Sequence, residues 1–187
     1  VLENDKTAAK WYTLAAEQGY VNAQYNLGQM HRLGEGGPKN DKTAVKWYTL
    51  AAEQGYANAQ SNLGVMYANG SGVLENDKTA VKWYTLAAEQ GYARAQYNLA
   101  LKYEHGEGVL ENDKTAVKWY TRAAEQGHAK AQYNLGVMYA NGEGVLENDK
   151  TAVKWYTLAA KQGYAAAQNN LGNMYDNGAG VLENDKT

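Results

Sequence analysis

The stretch AVKWYTLAAEQGYANAQSNLGVMYANGSG, residues 44–72, decides the fold, because nearly the same residues recur along the whole chain. The tryptophan of this stretch, Trp47, has counterparts spaced 36 residues apart without an insertion, at Trp11, Trp83, Trp119 and Trp155. A period between about 20 and 50 residues with one large aromatic per unit is typical of solenoids, which stack supersecondary units. The sequence therefore predicts a stack of five repeats, each in contact mainly with its neighbours.

Five units of 36 residues account for 180 of the 187 residues. We expect the repeats to occupy residues 1–36, 37–72, 73–108, 109–144 and 145–180. The last residues, 181–187, repeat the VLENDKT that opens the chain, so we expect them to begin a sixth repeat of a longer array. The chain does not begin with Met, so an upstream signal or anchor is compatible with it, and both a cytoplasmic and a periplasmic or secreted location stay open.

Each unit carries the signals of two helices, helix A and helix B. In the third unit, Asn76 and Asp77 can cap a helix that starts near Lys78, and Gly91 can end it in the left-handed conformation. Small and apolar residues are spaced by three and four along helix A, which predicts one buried face. The residues of that face are Ala80, Trp83, Tyr84, Ala87 and Ala88.

Helix B is expected from about Ala93 to Gly106. Its position 100 is Ala in this unit but Gly in the others, at Gly28, Gly64, Gly136 and Gly172. Glycine inside a helix costs roughly 1 kcal/mol relative to alanine, so its recurrence predicts another backbone too close for a methyl group. We also expect the Val and Leu of the linkers to pack under the next helix pair.

Composition excludes several classes of function. Cysteine is absent, which excludes disulfides and thiolate metal sites. With 18 basic and 20 acidic residues the net charge is −2, and this balance lacks the basic footprint of a nucleic-acid-binding protein. No apolar run reaches the roughly 18 residues of a membrane span, so we expect no membrane insertion of this segment.

Catalytic and metal-binding patterns are also missing from the sequence. The three histidines, His31, His105 and His128, stand at different positions of the unit, and no Ser-His-Asp arrangement or metal spacing connects them. The repeated Glu-Asn-Asp of the linkers offers oxygen ligands, but capping of helix A is the simpler role. We therefore predict no catalytic residues, no metal and no cofactor.

The repeating unit resembles the Sel1-like repeat, a relative of the tetratricopeptide repeat. The matching positions of the second unit are Ala44, Trp47, Tyr48, Ala51, Ala52, Gly55, Ala59, Gln60, Asn62, Leu63, Gly64, Met66, Tyr67, Gly70 and Gly72. The resemblance covers the whole chain and implies an all-α, right-handed α/α superhelical solenoid that acts as an adaptor for other proteins, often in bacteria. Cysteine-rich secreted members belong to this family, and this chain differs from them in having no cysteine.

By analogy with tetratricopeptide arrays, the outer side of helix A would line a concave groove for a protein or peptide. The residues expected there are Lys46, Thr49, Leu50, Glu53, Lys82, Thr85, Leu86, Glu89, Lys118, Thr121, Arg122 and Glu125. This lining is nearly identical from unit to unit. An extended or repetitive partner bound through many weak contacts and recent internal duplication without selection account for the uniformity equally well.

A second candidate surface is a basic ridge in the third and fourth units. Arg94, Lys102 and Lys130 replace neutral residues of the other units, and stacking would bring Arg94 and Lys130 about 10 Å apart. Such a ridge could bind an acidic partner segment, and it could equally be an ordinary solvated surface.

The sequence thus predicts a protein-interaction scaffold, with a monomer as the expected state. The first alternative is a structural spacer array without a specific ligand. The second is an RNA-binding helical repeat of the type that reads one base per unit, but such arrays need a basic groove and residue pairs that change between units. This chain has neither, so we expect no nucleic-acid partner.

Overall fold

The computed structural model of the chain describes residues 3–181. Ten α-helices follow one another in this range, and no strand occurs in it. They are α1 (Glu3–Glu17), α2 (Val21–Leu33), α3 (Asp41–Glu53), α4 (Ala57–Ala68), α5 (Asp77–Glu89), α6 (Ala93–His105), α7 (Asp113–Glu125), α8 (Ala129–Asn141), α9 (Asp149–Lys161) and α10 (Ala165–Asp176). Odd-numbered helices are helix A and even-numbered helices are helix B. The expected all-α fold of paired helices is confirmed, whereas nearly all of the expected sixth repeat lies outside the described residues.

Two compact units make up the chain, with the division between Tyr92 and Ala93. In the first unit, α1 to α5 pack in sequence, each against the next. In the second unit, α6 to α10 do the same. The most extensive packing in both units is between a helix B and the helix A that follows it in the chain.

Helix boundaries follow the local signals of the sequence. The Asn76 side chain accepts a hydrogen bond from the Thr79 amide at 2.9 Å, and α5 begins at Asp77. The same asparagine cap opens α3, α7 and α9. Gly91 follows α5 with a φ of 87°, the left-handed conformation in which glycine is favoured. The predicted role of the linker Asn as a helix cap is therefore confirmed.

Packing at the glycine that recurs in helix B differs from the prediction. A Cβ atom built on Gly64 would lie 2.6 Å from two ring carbons of Tyr84, so a flat aromatic ring fills the space and not another backbone. Gly28 meets Tyr48 and Gly136 meets Tyr156 in the same way. In α3, α5 and α9 the tyrosine of the Trp-Tyr pair is buried, because its ring lies flat against the glycine of the preceding helix B.

The tryptophans are only partly buried in most repeats. Trp47 packs against the cluster of Ala16, Ala23 and Leu27, and Trp83 packs against the corresponding cluster of the next repeat. Trp11 is 64% exposed, since no described helix lies on its outer side. The indole rings thus fill gaps between successive helices A while one part of each ring reaches the surface.

The linker leucines do not pack under the next helix pair, contrary to expectation. Leu74, Leu110 and Leu146 are 91%, 90% and 90% exposed. Val73 packs against the core, while Gly72 lies so close to the first turn of α3 that a Cβ would be 2.4 Å from the Asp41 carbonyl carbon. This linker is short, packs closely against α3 at Gly72 and ends in the extended cap residue Asn76. Of its two adjacent apolar side chains, Val73 therefore faces the core and Leu74 faces the solvent.

Candidate functional site

The outer side of helix A exposes the residues that the sequence analysis assigned to it. On α3, Lys46 and Glu53 are exposed and Leu50 is 37% exposed. Thr49 is half-buried and its hydroxyl donates to the Val45 carbonyl at 2.8 Å, within the same helix. The face therefore offers an ammonium, an aliphatic side chain and a carboxylate, and the threonine contributes its methyl group.

In four of the repeats a lysine ammonium lies near the tryptophan ring of the same helix A. The Nζ atom of Lys46 lies 5.5 Å from the centre of the Trp47 ring, and equivalent pairs occur on α5, α7 and α9. A cation at this distance is attracted by the negative face of the ring. The ammonium is thereby held beside the exposed leucine of the same helix face.

The fourth repeat departs from this pattern at Arg122, where the other repeats have leucine. The Arg122 guanidinium lies 4.7 Å from the centre of the Trp119 ring, and the Lys118 ammonium lies 5.8 Å from it. Trp119 is 8% exposed, whereas Trp47, Trp83 and Trp155 are half-buried. Arg122 thus covers the ring and replaces an aliphatic surface with a charged one on α7.

A ladder of glutamines joins successive repeats, and each bond runs from an exposed glutamine at the end of a helix A to a buried glutamine of a helix B. Gln60 donates from Nε2 to the Ala52 carbonyl at 3.0 Å, and its Oε1 accepts from Gln90 at 2.7 Å. Equivalent bonds join Gln54 to Gln24, Gln126 to Gln96 and Gln162 to Gln132. These glutamines satisfy one another and are structural, so they leave the outer face of helix A as the available polar surface.

The tyrosines of helix B also lie in the seam between repeats. Tyr97 of α6 is 5.9 Å from Tyr120 of α7 and 4.7 Å from His128, measured between ring centres. The Tyr120 hydroxyl donates to the Glu104 carboxylate and accepts from the Asn134 amide at 2.9 Å. Burial, followed by the hydrogen bond to Glu104, raises the pKa of Tyr120 far above its ordinary value.

The structure separates the three residues of the candidate basic ridge. Arg94 and Lys130 line one cleft of about 420 Å³, together with Tyr97, Asn98, His128 and Ala129. Lys102 is half-buried elsewhere on α6 and bonds to the Glu107 carboxylate at 2.6 Å. Two residues of the predicted ridge, Arg94 and Lys130, therefore share one cleft, and His128 lines the same cleft.

His128 links the two sides of this cleft. Its ring is stacked on Tyr97 of α6 at an angle of 26°, and its Nδ1 accepts from the Ala131 amide of α8 at 3.2 Å. Burial, and then the positive charges of Lys130 and Arg94, lower the pKa of His128. The imidazole is therefore neutral at pH 7, with its proton on Nε2.

Sequence reasoning missed Tyr97, Asn98 and His128 as members of one site. The available signal was that His128 takes the place of a tyrosine in the same pair of repeats in which Arg94 and Lys130 appear. Stacking of the ring on Tyr97 is a contact between different helices, which no residue spacing indicates.

Comparison with known proteins agrees with the repeat pattern. The sequence model of the Sel1 repeat matches residues 1–20, 21–56, 57–92, 93–128, 129–164 and 165–187. The chain belongs to the Sel1 repeat family. Each full-length match begins at the first residue of a helix B. The repeat unit of the family is therefore a helix B followed by the next helix A.

Solved structures of Sel1 repeat proteins are similar to this chain. A protective antigen of uropathogenic Escherichia coli, c5321, is 43% identical with a TM-score of 0.91 over 93% of this chain, which spans 37% of that protein. A Sel1 repeat protein of Oxalobacter formigenes is 39% identical with a TM-score of 0.85, over 95% of this chain and 71% of that one. Cysteine-rich protein B of Helicobacter pylori, 24% identical with a TM-score of 0.58 over 71% of this chain and 96% of its own, shares the fold. No curated protein matched the chain.

Two features are absent from the part of the chain that the structure describes. None of the helices between residues 3 and 181 is long and apolar enough to cross a membrane. In the same range, no group of three His, Asp or Glu side chains is placed to hold a metal ion.

Proposed function

We propose that this Sel1 repeat array is a non-enzymatic scaffold that binds a protein or peptide partner along the outer face of helix A. The single observation that carries the proposal is the repeated exposure of an aliphatic side chain between two opposite charges. Leu50, Leu86 and Leu158 are each 37% exposed at the same position of α3, α5 and α9.

More than a third of the surface of each of these leucines is left in water. The buried face of helix A carries the alanines and the tyrosine, and the Gln ladder joins the repeats on the inner side. A leucine left partly in water contributes little to folding, but it gains hydrophobic free energy when a partner covers it. Flanking Lys46 and Glu53 supply polar contacts at the rim of such an interface.

Repetition of the same face favours an extended partner. Leu50 and Leu86 lie on α3 and α5 of the first compact unit, and two weak contacts engaged at once raise the overall affinity through effective concentration. Arg122 stands in place of leucine on α7, so a partner would need an acidic or polar group opposite that repeat. This requirement would fix the position of the partner along the array.

The test is affinity capture from the native host with the whole array as bait, followed by a binding measurement with each captured protein after purification. The variant L50E/L86E/L158E places a carboxylate at each exposed leucine of the helix A face. We expect a partner that binds the wild-type array and is at least tenfold weaker with this variant, as roughly 1.4 kcal/mol of lost contact corresponds to tenfold.

The matched control is L74E/L110E/L146E, which makes the same three changes at the linker leucines. Binding should be unchanged by the control. A spacer role would follow if the array captured no protein specifically, and loss of binding in the control alone would move the interface to the linkers. Nuclease-sensitive capture would favour RNA instead.

Light scattering of the purified array, expected at 20.5 kDa, checks that the bait is a monomer.

A further inference from the structure

The cleft between the first turns of α6 and α8 combines features that no other described repeat pair has. Arg94 and Lys130 lie on its rim as exposed side chains, and the stacked rings of Tyr97 and His128 form its floor. At the positions of Arg94 and Lys130 the other repeats have Asn22, Asn58 and Ala166, and at the position of His128 they have tyrosine. Three neighbouring replacements in one cleft change its charge and its hydrogen-bonding capacity together.

Arg94 and Lys130 stand where a helix does not favour a positive charge. Each is the second residue of its helix, and the free amides and macrodipole of a helix make its N-terminus electropositive. Both charges are also close enough to His128 to lower its pKa. Mutual repulsion and the helix dipole therefore both oppose this arrangement.

A negatively charged ligand would remove that repulsion. None of the six residues that line the cleft, all of them in the described part of the chain, is acidic. Because Nδ1 of His128 is occupied by the Ala131 amide, Nε2 is the ring nitrogen that can donate to a ligand, and Asn98 offers a second polar side chain. The two stacked rings provide a flat apolar surface for the rest of the ligand.

We propose that this cleft binds an acidic peptide segment of a partner protein, with a carboxylate held between Arg94 and Lys130. The chain carries a net charge of −2, which opposes a long polyanion but not a short segment with one or two carboxylates at this cleft. The site lies on helices B and is separate from the leucine face of helix A, so it deepens the scaffold function without depending on the same residues.

The direct test uses a blocked hexapeptide of alternating Asp and Gly as the probe. The imidazole signals of His128 are followed by NMR during the titration and are assigned with the variant H128Y, which restores the tyrosine of the other repeats. We expect a saturable shift of these signals and an affinity that falls as salt is raised. The variant R94N/K130N, which introduces the asparagine of the first two repeats, should weaken binding about tenfold, as expected for two partly exposed ion pairs.

A matched control is K114N/K150N, which removes two lysines that are also exposed second residues of their helices, α7 and α9. It changes the net charge equally and should leave the affinity unchanged. Equal weakening in both variants would reduce the effect to net charge and overturn the proposal, as would the absence of a saturable shift. Inorganic phosphate or a single-stranded oligouridine that competes more strongly than the peptide would also overturn it, in favour of a small-anion or RNA site. None of these results depends on the leucine variants, so the two proposals fail separately.

Discussion

Tyr84 lies so close over Gly64 that a methyl group on the glycine would stand 2.6 Å from ring atoms Cδ1 and Cε1. Gly172 occupies the same position of the last described helix, and among the described residues no atom outside its own stretch of helix lies within 4 Å of the Cβ it would gain. The same residue of the repeat is thus constrained by packing at one site and unconstrained at another. Alanine substitutions at these two glycines therefore measure the effects of helix propensity and of close packing separately in one protein.

The change G64A should destabilise the protein by about 1 to 2 kcal/mol, because overpacking against the Tyr84 ring exceeds the gain in helix propensity. The change G172A should instead stabilise its helix by about 1 kcal/mol. Urea unfolding monitored by tryptophan fluorescence measures both. Equal stabilisation by the two changes would show that the ring moves aside without cost.

Removal of the Gln60 side chain should disrupt the ladder between repeats. The change Q60A removes the bond to the Ala52 carbonyl and the bond from the Gln90 amide, and we expect a loss of about 1 to 3 kcal/mol. The Ala52 carbonyl keeps its bond from the Gly55 amide, and Gln90 keeps its bond to the Leu86 carbonyl. Gln168 is the control, since it is exposed and its side chain bonds, within residues 3–181, to the Ala160 carbonyl alone, at 3.2 Å. Q168A should cost less than about 1 kcal/mol in the same urea experiment, and similar losses would contradict a special role of the ladder.

The Tyr120 hydroxyl should make stability depend on alkaline pH. Burial and the Glu104 carboxylate raise the pKa of Tyr120 well above 10.0, so the folded state holds this proton more tightly than the unfolded state. Its contribution is therefore complete below pH 10 and is lost as the pH rises above that value. Urea midpoints measured between pH 9 and 11 should fall less steeply in Y120F. The same variant should lose about 1 to 3 kcal/mol at neutral pH, because Glu104 loses its donor.

His128 should make stability depend on acid pH in the opposite direction. Burial, and then Lys130 and Arg94, lower its pKa below 6.5, so the unfolded chain binds the proton more readily. Stability should be complete above pH 6.5 and decrease as the pH falls below it. His31, whose pKa burial also lowers, adds to this slope. Thermal unfolding at pH 5 and pH 7.5 should therefore differ less in H128Y and least in H31Y/H128Y.

Charge removal at the cleft should stabilise the fold while it weakens peptide binding. K130N takes one positive charge from the N-terminus of α8, and the expected gain is about 0.3 to 1 kcal/mol at low salt. High salt should reduce this gain, because it screens the charges. Guanidinium is itself a salt, so urea is the appropriate denaturant. A loss of stability would mean that the Lys130 side chain supports the fold, contrary to this prediction.

The sequence by itself determined the repeat length, the two helices per unit and the residues that begin and end them. These features depend on contacts within a few residues, such as the bond from Asn76 to Thr79 and the left-handed φ of Gly91. The exposed positions of Lys46, Leu50 and Glu53 also followed from helix periodicity alone. Local rules act the same way in every repeat, so five copies of the pattern strengthened each inference.

Only the tertiary structure decided which residues of different helices meet. It placed a tyrosine ring and not a backbone against Gly64, left Leu74 in water, paired Lys102 with Glu107, and gathered Arg94, Tyr97, His128 and Lys130 in one cleft. These contacts depend on the rotation and separation of packed helices, which hydrophobic periodicity does not specify. A shift of a few ångströms between α6 and α8 would leave the sequence pattern unchanged and would separate His128 from Tyr97.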